Sequence, residues 1–170
     1  EWFNSLATII PQEKCFPIYR KMQNPFWEEK IKKIRSRYGN EALEADDVMK
    51  HILRNPNDGN SAYMFVADQT PHISMVNFGL KFLNQKTPVF VGYDRLSGRM
   101  NVTFVYCEME KIKRGHYRVT YHEITPTNQK FEPYEVVKKF HQNLEKTINK
   151  NPDNWLWSHR KWKYKDAIKH

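Results

Sequence analysis

Residues 62–69 read AYMFVADQ, six apolar or aromatic positions that run without a break into an acid and an amide. A continuously apolar run of that length predicts a strand buried on both faces, as in the parallel sheet of an α/β fold. Polar residues at the end of such a strand commonly lie in the ligand crevice of the sheet. Asp68 and Gln69 are therefore candidate site residues. The competing reading is that Asp68 caps the turn that follows.

The segments on either side alternate between strand and helix signals. The chain opens EWFNSLATII, an amphipathic run from Glu1 that reads as the tail of a helix closed by Pro11. Cys15–Arg20 has strand-like alternation. Asn24-Pro25 then supplies an N-cap and a proline at the first helical position. The helix predicted from there runs to about Ser36, with Phe26, Trp27, Ile31 and Ile34 as its buried stripe and a basic opposite face, and Gly39 ends it. Asp46-Asp47 opens a second helix with Val48, Ile52 and Leu53 inward. Beyond the 62–67 strand come a partly buried segment (FGLKFLNQ), a short helix near Tyr93–Met100 and two strands joined by a turn at Lys113–Gly115. Pro133 to about Lys150 is the clearest helix, carrying Val137, Phe140, Leu144 and Ile148 at helical spacing. The fold class is α/β: a mixed, mostly parallel sheet flanked by helices.

The chain has 170 residues, one domain's worth, and its 28% charged and 39% hydrophobic shares suit a globular domain. No stretch reaches the roughly 18–20 apolar residues of a membrane span. The formal net charge of +9 favours anionic partners: nucleic acid, lipid head groups, phosphorylated substrates or an acidic carrier protein. Cys15 and Cys107 sit alone in apolar settings and read as buried thiols rather than a disulfide. Neither they nor any His pair has zinc-site spacing, and no G-x-S-x-G elbow or P-loop is present. The tail NWLWSHRKWKYK interleaves Trp155, Trp157, His159, Arg160, Trp162 and Lys163. Such a pattern could stack on bases, yet tryptophans at these spacings also suit one packed side of a terminal segment.

NPDNWLWSHRKWK resembles the closing signature of bacterial lipid A biosynthesis (late) acyltransferases and their lysophospholipid acyltransferase relatives, P-x-x-W/Y-x-W-x-H-R-R-[WF]-K. Three further blocks fall in that family's order. IYRKMQNP resembles its Y-R-P…N-P block, IRSRYG its R-x-R-x-G block, and MFVADQTP its strand ending in Asp-Gln. FLNQKTPVFVG followed by IKRGHYRV resembles a Bacteroidetes-type branch. The resemblance covers essentially the whole chain and implies an acyltransferase-like α/β fold, with residues 1–170 a single domain that forms its C-terminal portion.

The family carries a catalytic H-x4-[DE] motif, often H-[FY]-G-N-W-E-W, which EWFNSL would continue. The resemblance thus makes Glu1 the acid, with its His five places upstream and the N-terminal part missing. Consistent with this, the positions five after His51, His72, His116, His122, His141 and His159 hold Pro56, Asn77, Tyr121, Thr127, Lys146 and Tyr164, and His170 is terminal. The implied mechanism needs no cofactor: a His deprotonates a hydroxyl or amine, and the acid orients and charges the imidazole. The donor is an acyl thioester on acyl carrier protein or CoA, the acceptor an anionic lipid, and the place the cytoplasmic face of the bacterial inner membrane. Arg20, Arg35 and Arg37 occupy the family's arginine positions and are candidates to bind the acceptor's phosphate, a task that suits Arg. For Arg35 and Arg37 the other reading is a solvated helix end. Lys21 replaces the usual Pro after Tyr-Arg, Thr103 another usual Pro, and Ala45 an Arg of some lipid A enzymes. The acceptor thus stays open between a lipid A precursor, a lysophospholipid and an amino-acid lipid. The competing class is a stand-alone basic domain that binds nucleic acid or an anionic membrane surface; for the acyltransferase, no nucleic acid partner is expected.

Overall fold

The computed structural model describes residues 5–6, 8–55, 59–97, 102–125 and 131–168. Two compact units divide the chain, residues 1–66 and 67–170. Both mix strands with helices, as the α/β reading expects. Among the described residues the strands are gathered into three small sheets, of which one, with three strands, is parallel.

The first unit is built on β1 (Lys14–Tyr19), flanked by β2 (Leu43–Glu44) and β3 (Ser61–Met64) in the order β2-β1-β3. Both pairings are parallel, with Ile18 opposite Leu43 and Cys15 opposite Ala62. Two helices make the crossovers that parallel strands require: α1 (Pro25–Arg35) from β1 to β2, and α2 (Val48–Arg54) from β2 to β3. β2 lies on one side of β1 and β3 on the other, so the winding reverses at β1. Ligand crevices in α/β sheets form at the carboxyl ends of strands where this happens. The strand expected over Ala62–Ala67 is shorter than its sequence suggests and ends at Met64.

Asn24 caps α1 as expected, its Oδ1 accepting from the Phe26 and Trp27 amides, and Gly39 ends the region at φ +81°. The expected buried stripe is not there. Phe26 is 63% exposed, Trp27 51%, Ile34 lies outside, and no residue of α1 is fully buried. The cause is polar wiring on the other side of the helix. Glu28 accepts from the Tyr19 hydroxyl and the Met22 amide, both at 2.8 Å, and pairs with Lys32 at 3.3 Å. Arg35 Nη1 donates to the Ile18 carbonyl at 2.7 Å. These bonds hold the charged side against β1. In α2, Val48 and Ile52 are buried as expected, whereas Leu53 is exposed.

The second unit packs α4 (Glu135–Lys150) against two antiparallel hairpins, β4–β5 (Gly79–Phe82, Gln85–Pro88) and β6–β7 (Phe104–Lys113, His116–Thr125). The expected turn before Gly115 joins β6 to β7, with that glycine at φ +77°. α3 (Asp94–Ser97) is the short helix expected near Tyr93. The hairpin over 79–88 was not legible because its turn, Leu83-Asn84, lacks the usual glycine. Both residues adopt positive φ, 46° and 62°, and the Glu145 carboxylate holds the turn by accepting from the Leu83 amide at 3.0 Å. The core gathers Phe82, Val89, Tyr106, Val136, Val137, Leu144 and Ile148, and the Tyr106 hydroxyl donates to Thr147 Oγ1 on α4 at 2.9 Å. Both cysteines are free thiols; Cys15 is buried as expected, Cys107 only half-buried, and burial pushes each up to about 11. Among the described residues, no helix is long and apolar enough to cross a membrane.

Candidate functional site

In the first unit, β1 ends at Tyr19 and hands over to Arg20, which is exposed at the carboxyl end of the central strand. Around Tyr19 lies a compact charged network. Its hydroxyl contacts Glu28 and, at 3.3 Å, Glu44, and Lys32 bridges both acids. Burial, with the Glu28 and Glu44 carboxylates adding to it, pushes the Tyr19 phenol up to about 12. The Glu28 carboxyl is held below its usual range, first by the Met22 amide and then by Tyr19 and Lys32.

The three candidate arginines have different surroundings. Arg35 is half-buried and engaged with β1 through Ile18, and its Nε is buried with no hydrogen-bond partner among the described residues. Its backbone carbonyl accepts from buried Asn40. Arg37 is exposed past the helix end, its guanidinium 5.9 Å from the centre of the Tyr38 ring. Arg37 is thus exposed beyond the helix, whereas Arg35 is engaged with the strand. Glu1 lies outside the described residues.

In the second unit, the Asp68-Gln69-Thr70 turn is tied to the tail, about ninety residues on. The Thr70 amide donates to His159 Nε2 at 2.9 Å, and the Thr70 hydroxyl lies 2.6 Å from the Lys161 carbonyl and 3.1 Å from that of Arg160. His159 Nε2 must be unprotonated to accept that bond. Lys161, only 1% exposed, reaches back to donate from Nζ to the Gln69 carbonyl at 3.2 Å. Burial lowers this ammonium to about 8, and the Asp68 carboxylate partly offsets it. On α4, His141 is also buried. Burial first, then the Lys161 charge, lowers it to about 4. Its Nδ1 meets the Val137 carbonyl at 2.9 Å, and its Nε2 has no partner among the described residues. Asp68 is half-buried and Gln69 exposed.

The tail reading is settled residue by residue. Trp162 donates from Nε1 to buried Thr87 at 2.8 Å, and Trp155 lies against Phe82, ring centres 6.3 Å apart. Trp157 is 54% exposed, with its Nε1 closed onto the Pro152 carbonyl at 2.6 Å. A row of displayed stacking rings is not what this tail presents. Thr70, His141 and Lys161 were not singled out from the sequence. The signal for two of them was present, since Thr70 follows the Asp-Gln pair and Lys161 lies inside the closing signature.

The family profile described as bacterial lipid A biosynthesis acyltransferase matches residues 3–164. Comparison with curated proteins gives no match.

Proposed function

The chain belongs to the bacterial lipid A biosynthesis acyltransferase family, and on that premise we propose that it is the C-terminal portion of a catalytic domain that acylates a lipid. Members of this family are membrane-associated acyltransferases that take an acyl group from a donor and pass it to a lipid acceptor. For this chain the donor is read as acyl carrier protein or acyl-CoA. The acceptor is read as the hydroxyl or amine of an anionic lipid, either a lipid A precursor or a lysophospholipid-like molecule, met at the cytoplasmic face of the inner membrane.

In that reaction the acceptor O–H or N–H gives its proton to a general base while its lone pair adds to the thioester carbonyl. The C–S bond then breaks, and the leaving thiolate takes up a proton. Glu1 is read as the acid that orients that base. Arg20, at the point where the winding of the sheet reverses, and exposed Arg37 offer cations to the acceptor's phosphate. Arg35, engaged with Ile18, is read as fixing the end of β1 from which Arg20 projects. In the second unit, Asp68 and Gln69 are read as substrate-binding residues, with the exposed Gln69 side chain the one able to meet substrate.

The observation that carries this reading is the joining of the Asp-Gln turn to the closing signature through Thr70, His159 and Lys161. Two segments singled out from the sequence, far apart along the chain, are held together by three donors: the Thr70 amide, the Thr70 hydroxyl and the Lys161 ammonium. The test is acyl transfer by the complete protein containing these residues, given acyl carrier protein and CoA thioesters with a lipid A precursor and a lysophospholipid in turn. Acylated lipid with release of free thiol is the expected result. Thioester donors left intact in the presence of every acceptor would overturn it.

A further inference from the structure

Helix α1 is turned inside out relative to its own sequence. At about 3.6 residues per turn, Phe26, Trp27, Lys30 and Ile34 share roughly 100° of its circumference, with Glu28, Lys32 and Arg35 opposite. The second set is the one bonded to β1, Tyr19 and the Met22 amide. The first faces out, with Phe26, Trp27 and Ile34 all exposed and the Lys30 ammonium 5.8 Å from the centre of the Phe26 ring. Met22 before the helix and Tyr38 after it are exposed too. Exposed apolar side chains gathered on one face mark an interaction surface rather than chance.

We propose that α1 is an interfacial docking helix that lies on an anionic membrane surface, with Phe26, Trp27 and Ile34 sunk into the boundary between head groups and acyl chains. This deepens the membrane-surface part of the proposed function and rests on it. Charge selects the occupant. Lys30 lies within the apolar face, Lys33 beside it and Arg37 just past the helix end, and none of them has an ion pair among the described residues. They would meet lipid phosphates while the aromatic rings take the level that Trp and Phe favour at such boundaries. Shape agrees with charge. The outer face of a single helix is convex and offers no groove. A protein partner would have to supply the whole complement over the roughly 1,200 Å² or more that a stable interface buries. A bilayer deforms around the side chains and needs none.

The test is flotation of the 170-residue protein with vesicles of mixed phosphatidylglycerol and phosphatidylethanolamine, and with vesicles of phosphatidylcholine alone. Binding to the anionic vesicles, weakened by salt, is the expected result. Phe26→Ser with Trp27→Ser should weaken it about tenfold or more, through lost insertion. Lys30→Glu and Lys33→Glu should each cost about fivefold or more. Because these side chains face solvent, all the variants should keep the melting temperature of the parent, which separates lost docking from lost folding. Binding to anionic vesicles that both sets of substitutions leave unchanged would overturn the proposal. So would failure of the parent to bind the anionic vesicles, whether or not the same residues hold a second copy of the chain or an acidic carrier protein. The readout is binding alone, so an inactive enzyme that still docks leaves this inference standing while the reaction assignment fails.

Discussion

Lys161 Nζ donates to the carbonyl of Gln69 at 3.2 Å from a site where the lysine is 1% exposed. A buried ammonium is costly unless it is bonded and has an opposite charge near it. This one has the Gln69 carbonyl and the field of Asp68.

The lysine gives the fold a measurable pH dependence. Its folded value, about 8, lies below the 10.5 of an unfolded lysine. Between those values the unfolded chain binds more protons, so this residue makes stability rise with pH, by on the order of 3 kcal/mol across the window. The Cys15 and Cys107 thiols, raised to about 11, act in the opposite sense above pH 9. The quantity to measure is therefore a difference. Denaturant unfolding at pH 7.5 and 10 should favour the higher pH more in the parent than in Lys161→Met, and equal responses would rule the lysine out as the source.

His141 governs the acid side. Its folded value of about 4 lies below the ordinary 6.5. Stability from this group is intact above pH 6.5 and falls as pH drops towards 4, again by on the order of 3 kcal/mol. His141→Phe, which keeps a ring near Phe82 and Phe140, should flatten the loss between pH 6.5 and 4.5 seen in the parent. An unchanged acid limb would exclude the histidine.

The three tail tryptophans should separate by environment. Trp162→Ala deletes a ring bonded to buried Thr87 and should cost about 3 kcal/mol. Trp157→Ala removes a ring more than half exposed and should stay within about 1 kcal/mol. Thermal melts of the two variants decide it, and equal losses would contradict the packing described.

No histidine of the chain precedes an acid at H-x4-[DE] spacing. Residues 1–170 alone are therefore expected to fold and yet transfer no acyl group, since general-base assistance is worth roughly 10²–10⁴-fold. Robust transfer from a thioester by the purified 170-residue protein would contradict this.

In protein that carries out the proposed transfer, Arg37→Ala should lower acceptor use by about 1.5–3 kcal/mol, the worth of a charged hydrogen bond, and leave donor hydrolysis nearly unchanged. Competition assays with both substrates check the split. Equal effects on both would remove Arg37 from acceptor binding.

Local chemistry was legible in the sequence wherever one residue type decides the backbone. Asn24-Pro25 started α1, Gly115 turned the β6–β7 hairpin, and the spacing of Val137, Leu144 and Ile148 gave α4 its buried side. The α/β class followed from the apolar run at 62–67, and the candidate site from ordered blocks around Arg20, Arg35, Arg37, Asp68 and the tail. Which face of α1 turns inward was beyond that reading. Hydrophobic periodicity assumes that apolar side chains choose the buried side. Here Glu28 and Arg35 found hydrogen-bond partners on β1 that fix the opposite choice. The same holds for Lys161, which reads as a solvated base among other bases and becomes a buried donor only because Thr70 and Gln69 come to it. Periodicity and caps act within a few residues of chain and are written there. Partners from distant segments are brought by the tertiary fold, and they alone decide which charges are buried and which apolar faces are left for something else to cover.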